Sequence, residues 1–137
     1  MEFPEGYVSF EEVHKSAPKP EVIRVSEDVE LETLHIPGPE PTLVFVHGGL
    51  GSLWNPYPQI DAFRDDYGIV SYSLAGNGNS SRRPEQSVEG HAQDLSNLLN
   101  KIGIKRPIIH GHSYGTAVAI EYAKRYPTQL SGGERQR

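Results

Sequence analysis

The chain has 137 residues, 36% of them hydrophobic and 23% charged, with a formal net charge of -5 and no cysteine. That length bounds it to one domain, and the balance of apolar and charged residues is that of an ordinary globular chain. The missing cysteines exclude disulfides and thiol chemistry, the acidic balance argues against a nucleic-acid surface, and no apolar run approaches the ~20 residues that span a membrane. Residues 1–20 carry Glu2, Glu5, Glu11 and Glu12 but neither the basic nor the apolar segment of a secretory leader, so a cytoplasmic location is the expectation.

In chain order, residues 1–20 are rich in Pro and Glu and predict a loosely ordered lead, in which Tyr7-Val8-Ser9-Phe10 offers an edge strand. Two β-prone runs, 22–25 and 29–36, are divided by Ser26-Glu27-Asp28 and predict a hairpin. After the turn Pro37-Gly38-Pro39-Glu40-Pro41, the run Leu43-Val44-Phe45-Val46 reads as a strand buried on both faces of a parallel sheet. His47-Gly48-Gly49-Leu50-Gly51 ends it. Residues 57–67 predict a helix with Ile60 and Phe63 inward, and 68–72 another strand, followed by a Gly/Asn/Ser loop at 76–81. Val88, Ala92, Leu95, Leu98, Leu99 and Ile102 then recur at three- and four-residue spacing, the stripe of an amphipathic helix that Ser87 can cap. Residues 107–110 predict a strand and 114–126 a helix. Strands alternating with helices in this way imply a parallel sheet with right-handed crossovers.

The pentapeptide Gly111-His112-Ser113-Tyr114-Gly115 joins that last strand to that last helix. A serine on so sharp a turn has its hydroxyl lifted clear of the sheet, while the flanking positions Gly111 and Gly115 have no room for side chains. This context makes G-x-S-x-G a nucleophile elbow. Over roughly residues 22–132 these motifs resemble those of the α/β-hydrolase family, and the pairing of His-Gly-Gly-x-Gly with Gly-x-Ser-Tyr-Gly is most similar to its prolyl aminopeptidase-like members. The resemblance implies a mostly parallel α/β sheet with flanking helices. It implies Ser113 as nucleophile, the backbone N–H groups of Gly49 and Tyr114 as oxyanion donors, and His47, Gly48, Gly111 and Gly115 as the supporting loop. Each such donor stabilises the transition state by ~3 kcal/mol. The implied substrate is a small molecule or short peptide with an ester or amide bond, although related loops serve carbon–carbon cleavage; no metal or cofactor is implied. Ser73-Leu74-Ala75-Gly76-Asn77-Gly78-Asn79-Ser80 resembles the family's D-x-x-G-x-G-x-S turn, with Ser73 in place of the acid and Asn77 in place of a common histidine.

In that family the acid and the histidine follow the serine in the chain. Here His14, His35, His47, His91, His110 and His112 all precede Ser113. Residues 21–127 are therefore expected to be the N-terminal part of such a domain, inactive by itself, with His47 a buried structural histidine and the strand at 107–110 an exposed sheet edge. Two non-catalytic readings accompany this one. The first is a fragment that associates with itself or a missing half through that edge. The second rests on Leu130-Ser131-Gly132-Gly133-Glu134-Arg135-Gln136-Arg137, which resembles the signature of ATP-binding cassette ATPases. No G-x-x-x-x-G-K-[ST] phosphate loop accompanies it, so a nucleotide-binding fragment is disfavoured, and residues 128–137 are expected to be a junction of two reading frames.

Overall fold

A computed structural model of the protein describes residues 8–127. In chain order it consists of α1 (Phe10–Ser16), β1 (Glu21–Arg24), β2 (Glu30–Ile36), β3 (Thr42–Val46), α2 (Tyr57–Phe63), β4 (Gly68–Tyr72), α3 (Val88–Ile102), β5 (Pro107–Gly111) and α4 (Tyr114–Arg125). The cassette-like signature lies outside the described residues. One helix departs from expectation at the start: Phe10 opens α1 and does not extend a strand. A capping box explains it, with Ser9 Oγ accepting from the Glu12 N–H at 3.2 Å and the Glu12 carboxylate accepting from the Ser9 N–H at 3.0 Å. Val13 is fully buried beneath this short helix, so the lead is tied to the domain at that point.

The five strands form one sheet in the order β1-β2-β4-β3-β5. The expected hairpin is present as the antiparallel pair β1–β2, which joins β4 antiparallel through Thr33↔Tyr72 and Leu34↔Ser71. The remaining pairs are parallel: β4 with β3 and β3 with β5, with Val46 opposite both Tyr72 and Gly111. The sheet is thus mixed, and its parallel part carries the three strands whose C-terminal ends converge on the Ser113 turn.

Each face has its own core. On one face Leu95, Leu98 and Leu99 of α3 and Val118 and Tyr122 of α4 pack on Val44, Val46, Val70 and Tyr72. On the other, Val13 of α1 and Ile60 of α2 pack with Leu53 against Leu34, Phe45 and Ile69. Burying one such aliphatic side chain stabilises the fold by about 2 kcal/mol. The stripe read from the sequence is the stripe that packs: α3 spans the expected residues, Ser87 Oγ accepts from Gly90 N–H, and Gly103 ends it at φ +78°. Helix α2 is shorter than expected. It stops at Phe63, with Arg64 as its C-cap, before Asp65 and Asp66, whose side chains are poor helix formers. Phe63 is 41% exposed and so does not join Ile60 in the core. No helix of the described residues is long and apolar enough to cross a membrane.

Candidate active site

Ser113 sits between β5 and α4 with φ 56° and ψ -121°, a left-handed backbone that side-chain-bearing residues adopt only under constraint. The constraint is visible on both sides. His112 N–H donates to the Val46 carbonyl at 3.0 Å, Gly115 N–H to the His112 carbonyl at 2.8 Å and Thr116 N–H to the Ser113 carbonyl at 2.9 Å. A Cβ on Gly115 would lie 2.1 Å from Val46 O, and one on Gly111 2.4 Å from Gly115 O. Both positions therefore need glycine for close backbone approach, as the motif reading expects. Ser113 itself is exposed. Tyr114 opens α4, so its N–H belongs to the first turn, where a helix has no acceptor of its own.

The loop after β3 lies directly against this turn. A Cβ on Gly48 would meet Ser113 Cβ at 3.0 Å and Oγ at 3.5 Å, whereas one on Gly49 would meet nothing within 4 Å. The structure therefore packs Gly48 closest to Ser113 and leaves the Gly49 position open. His47 fixes the loop. Its Nε2 accepts from the Leu74 N–H at 2.9 Å, so Nδ1 carries the proton and donates to the Gly48 carbonyl. Burial holds His47 below the usual imidazole pKa, partly opposed by the Gly48 hydrogen bond. A neutral, doubly engaged imidazole of this kind ties the glycine loop to the exit of β4. Leu50, at the loop tip, also has a positive φ of 60°.

Beside the elbow a cavity of about 600 Å³ opens between α2 and β5, with Phe10, Phe45, Trp54, Tyr57, His110 and His112 among its walls. Phe10 meets the rings of Trp54 and Tyr57 edge-on at 5.8 and 5.6 Å, and His110 meets Phe45 at 5.6 Å. His112, although adjacent to Ser113 in sequence, is not among its hydrogen-bond partners; it lines this cavity instead.

Two features of the site are not read from the motifs. The first concerns the carboxylate beside Ser73. Glu32, on β2, accepts from Ser73 Oγ at 3.1 Å, from Asn79 N–H at 3.1 Å and from Asn79 Nδ2 at 2.9 Å. Ser73 Oγ in turn accepts from Leu53 N–H at 3.1 Å. The carboxylate that organises the glycine turn thus comes from the neighbouring strand, 41 positions away, and nothing local announces it. The second is a buried polar cluster on α3, where Arg83 Nη1 donates to Asp94 Oδ1 at 2.6 Å. Burial pushes the Asp94 carboxyl up from 3.8 to about 6 against the pull of Arg83. Here a signal did exist: residues 91 and 94 fall on the same inward stripe as Leu95 and Leu98, and a charged residue on that stripe must have a partner.

A strand, a glycine-tight serine turn and a helix, faced by a second glycine loop on the adjacent parallel strand, leave the Ser113 position exposed at the C-terminal edge of the sheet. Comparison with known proteins places the chain. Residues 41–132 match the model of the alpha/beta hydrolase fold, and the chain belongs to that family. Among curated proteins it is 32% identical over 95 residues to the "Putative carbamate hydrolase RutD" of Escherichia coli, a match covering 66% of this chain and 34% of that protein. Among solved structures it resembles a "putative lipase (lip1)" of Acinetobacter baumannii at 25% identity and a TM-score of 0.77, over 93% of this chain and 45% of that one. A thermophilic esterase from Thermogutta terrifontis shares the fold at 24% identity and a TM-score of 0.73, over 82% of this chain and 43% of the other. The chain thus spans about a third of the length of the curated relatives it matches.

Proposed function

We propose that Ser113 is the nucleophile of a serine hydrolase acting on an ester or amide carbonyl, with the N–H groups of Gly49 and Tyr114 as its oxyanion donors. The observation that carries this reading is the strained, exposed backbone of Ser113 at the start of α4, packed against the glycine loop. Strain of this kind costs of order 1–3 kcal/mol and persists only where the surroundings enforce it. In the reaction, Ser113 Oγ adds to the carbonyl carbon while its proton passes to a general base. The tetrahedral oxyanion collapses, the bond to the leaving oxygen or nitrogen breaks, and the leaving group takes that proton. Water then releases the acid from the serine by the same steps. Carbamates and esters, in the names of the relatives, share a carbonyl carbon flanked by a heteroatom. A prolyl aminopeptidase-like amide substrate fits the same loops. No histidine follows Ser113 among the 137 residues, and the chain spans about a third of its curated relatives' length, so the general base is left unassigned and covalent labelling of Ser113, not turnover, is the readout.

The test is covalent labelling with a fluorophosphonate, with imidazole in solution as the missing base. The adduct is expected on Ser113, faster with imidazole, and absent in Ser113→Ala. Equal labelling of the alanine variant, or label spread over other serines, overturns the reading.

A second reading rests on the sheet edge. Among the described residues β5 pairs with β3 alone, Ile108 is 45% exposed and Ile120 of α4 57% exposed, so association through this edge is expected to make sedimentation concentration-dependent.

A further inference from the structure

The hydrolytic scheme leaves the buried polar cluster on α3 without a role. Arg83 anchors it: besides Asp94, its Nη1 donates to the Gly90 carbonyl at 3.2 Å, and a Cβ on Gly90 would meet its Nε at 2.5 Å. The loop preceding α3 is thereby pinned across the first turns of the helix. Next to Gly90 comes His91, 4% exposed, whose ring meets the Tyr114 ring at 5.8 Å with the planes at 89°. Among the described residues His91 Nδ1 has no hydrogen-bond partner, and neither do Asp94 Oδ2 and the Tyr72 hydroxyl. His91 therefore lies beside Gly90, which Arg83 pins, with its Nδ1 unpaired and its ring against that of the residue that follows Ser113.

We propose that His91 is a positioning residue for the elbow: its neutral ring, set on α3 by the Arg83–Asp94 clamp, props Tyr114 and so the Ser113–Tyr114 peptide, and its protonation releases that prop. The proposal rests on the reading of Ser113 and Tyr114 as nucleophile and oxyanion donor, and it supplies that site with a pH-dependent support.

The surroundings favour the uncharged ring. The groups that act on it are Arg83 from the preceding loop, His47 from the loop after β3 and the Tyr114 ring from α4, with Glu89 acting on Tyr114 from the first turn of α3, while Asp94, one turn along α3, acts on Arg83 and on Tyr72 of β4. Burial most of all, then Arg83 and His47, hold His91 below the usual imidazole pKa. Of the two carboxylates within a turn of it on α3, Asp94 is engaged through Oδ1 by Arg83, and Glu89 acts on Tyr114. A second proton thus adds a buried cation beside the Arg83 guanidinium, and the cost of burial and the like-charge repulsion both favour movement of the ring away from Tyr114 toward water.

The experiment is amide hydrogen exchange on the full chain, read at the Gly115 and Thr116 N–H groups that close the elbow turn. Protection there is divided by protection at Val44 and Val70 to remove global unfolding. Between about pH 7.5 and 4.5 the ratio is expected to fall about tenfold, with the midpoint of the His91 ring titration followed by nitrogen-15 NMR. His91→Phe keeps a ring against Tyr114 without a titrating nitrogen, and its ratio stays flat within about twofold. His91→Gln removes the ring, and its ratio is low at every pH. A flat ratio in the unmodified chain overturns the proposal, as does an equal fall in His91→Phe or a midpoint that follows His112. Fluorophosphonate labelling fails or succeeds independently of these ratios, so a wrong assignment of Ser113 and a wrong role for His91 are told apart.

Discussion

Gly115→Ala sets two effects of opposite sign against each other. Glycine to alanine inside a helix ordinarily stabilises by about 1 kcal/mol, because alanine loses less backbone entropy on folding. At this position the new Cβ would lie 2.1 Å from Val46 O and 2.6 Å from His47 O, both backbone atoms that cannot swing aside. Ordinary contact requires α4 to retreat from β3 by about 1 Å, an overpacking strain of ~3 kcal/mol. The same Val46 carbonyl anchors the elbow by accepting from His112 N–H, and loosening that bond costs about 1 kcal/mol more. Strain wins, and the variant is expected to be less stable by about 3 kcal/mol, lowering Tm by roughly 10 °C. Thermal unfolding followed by far-ultraviolet circular dichroism measures this. Gly49→Ala is the control: its Cβ meets nothing within 4 Å, so its Tm should stay within about 2 °C of the parent. If Gly115→Ala melts at or above the parent, the close approach of α4 to β3 does not constrain the elbow and the argument for enforced strain at Ser113 fails.

Two further perturbations probe the polar supports. Glu32→Ala removes the acceptor shared by Ser73 and Asn79 and should cost about 2 kcal/mol, with faster proteolysis across residues 76–81; unchanged melting and cleavage would show that the turn holds itself. Asp94 contributes stability that is fully present below its unfolded pKa and lost as pH rises through about 6, because burial raises its folded value. Asp94→Asn should therefore gain on the parent by about 3 kcal/mol between pH 4 and 7, measured by urea unfolding at each pH, and a difference that is flat or shrinks contradicts the buried-carboxylate account. His47 and His91 have the opposite sign: their lowered values add stability above about pH 6.5 that is lost as pH falls, so Asp94→Asn alone should show stability rising steadily with pH.

The parts of the fold that were legible in the sequence were those written locally. Leu95, Leu98 and Leu99 share a helical face because of their spacing, and Ser87 and Gly103 bound that helix by caps a few residues away. The glycines of the Ser113 pentapeptide were legible for the same reason, since the crowding they relieve lies within the turn and the adjacent strand. What was missed depends on pairing across the chain. Helix α1 was hidden by a Pro- and Glu-rich segment whose Ser9–Glu12 box is nonetheless a local signal that could have been used. Phe63 was placed inward by periodicity, but α2 ends there and its ring, beside Tyr67, stays partly exposed. Gly48 was assigned only a supporting place, yet its packing against Ser113 follows from the register of β3 beside β5, which single-chain spacing does not encode.

That the glycine turn draws its carboxylate from β2 has an evolutionary corollary. With Glu32 serving Ser73 and Asn79, what selection must preserve there is one negative charge at a point in space, whichever strand delivers it. Placing an aspartate at position 73 while keeping Glu32 would set two carboxylates within hydrogen-bond reach, where they repel or one must take up a proton. Passage between the two solutions therefore runs through a paired substitution, or through an intermediate in which one site is first neutralised, and the two positions are expected to change together.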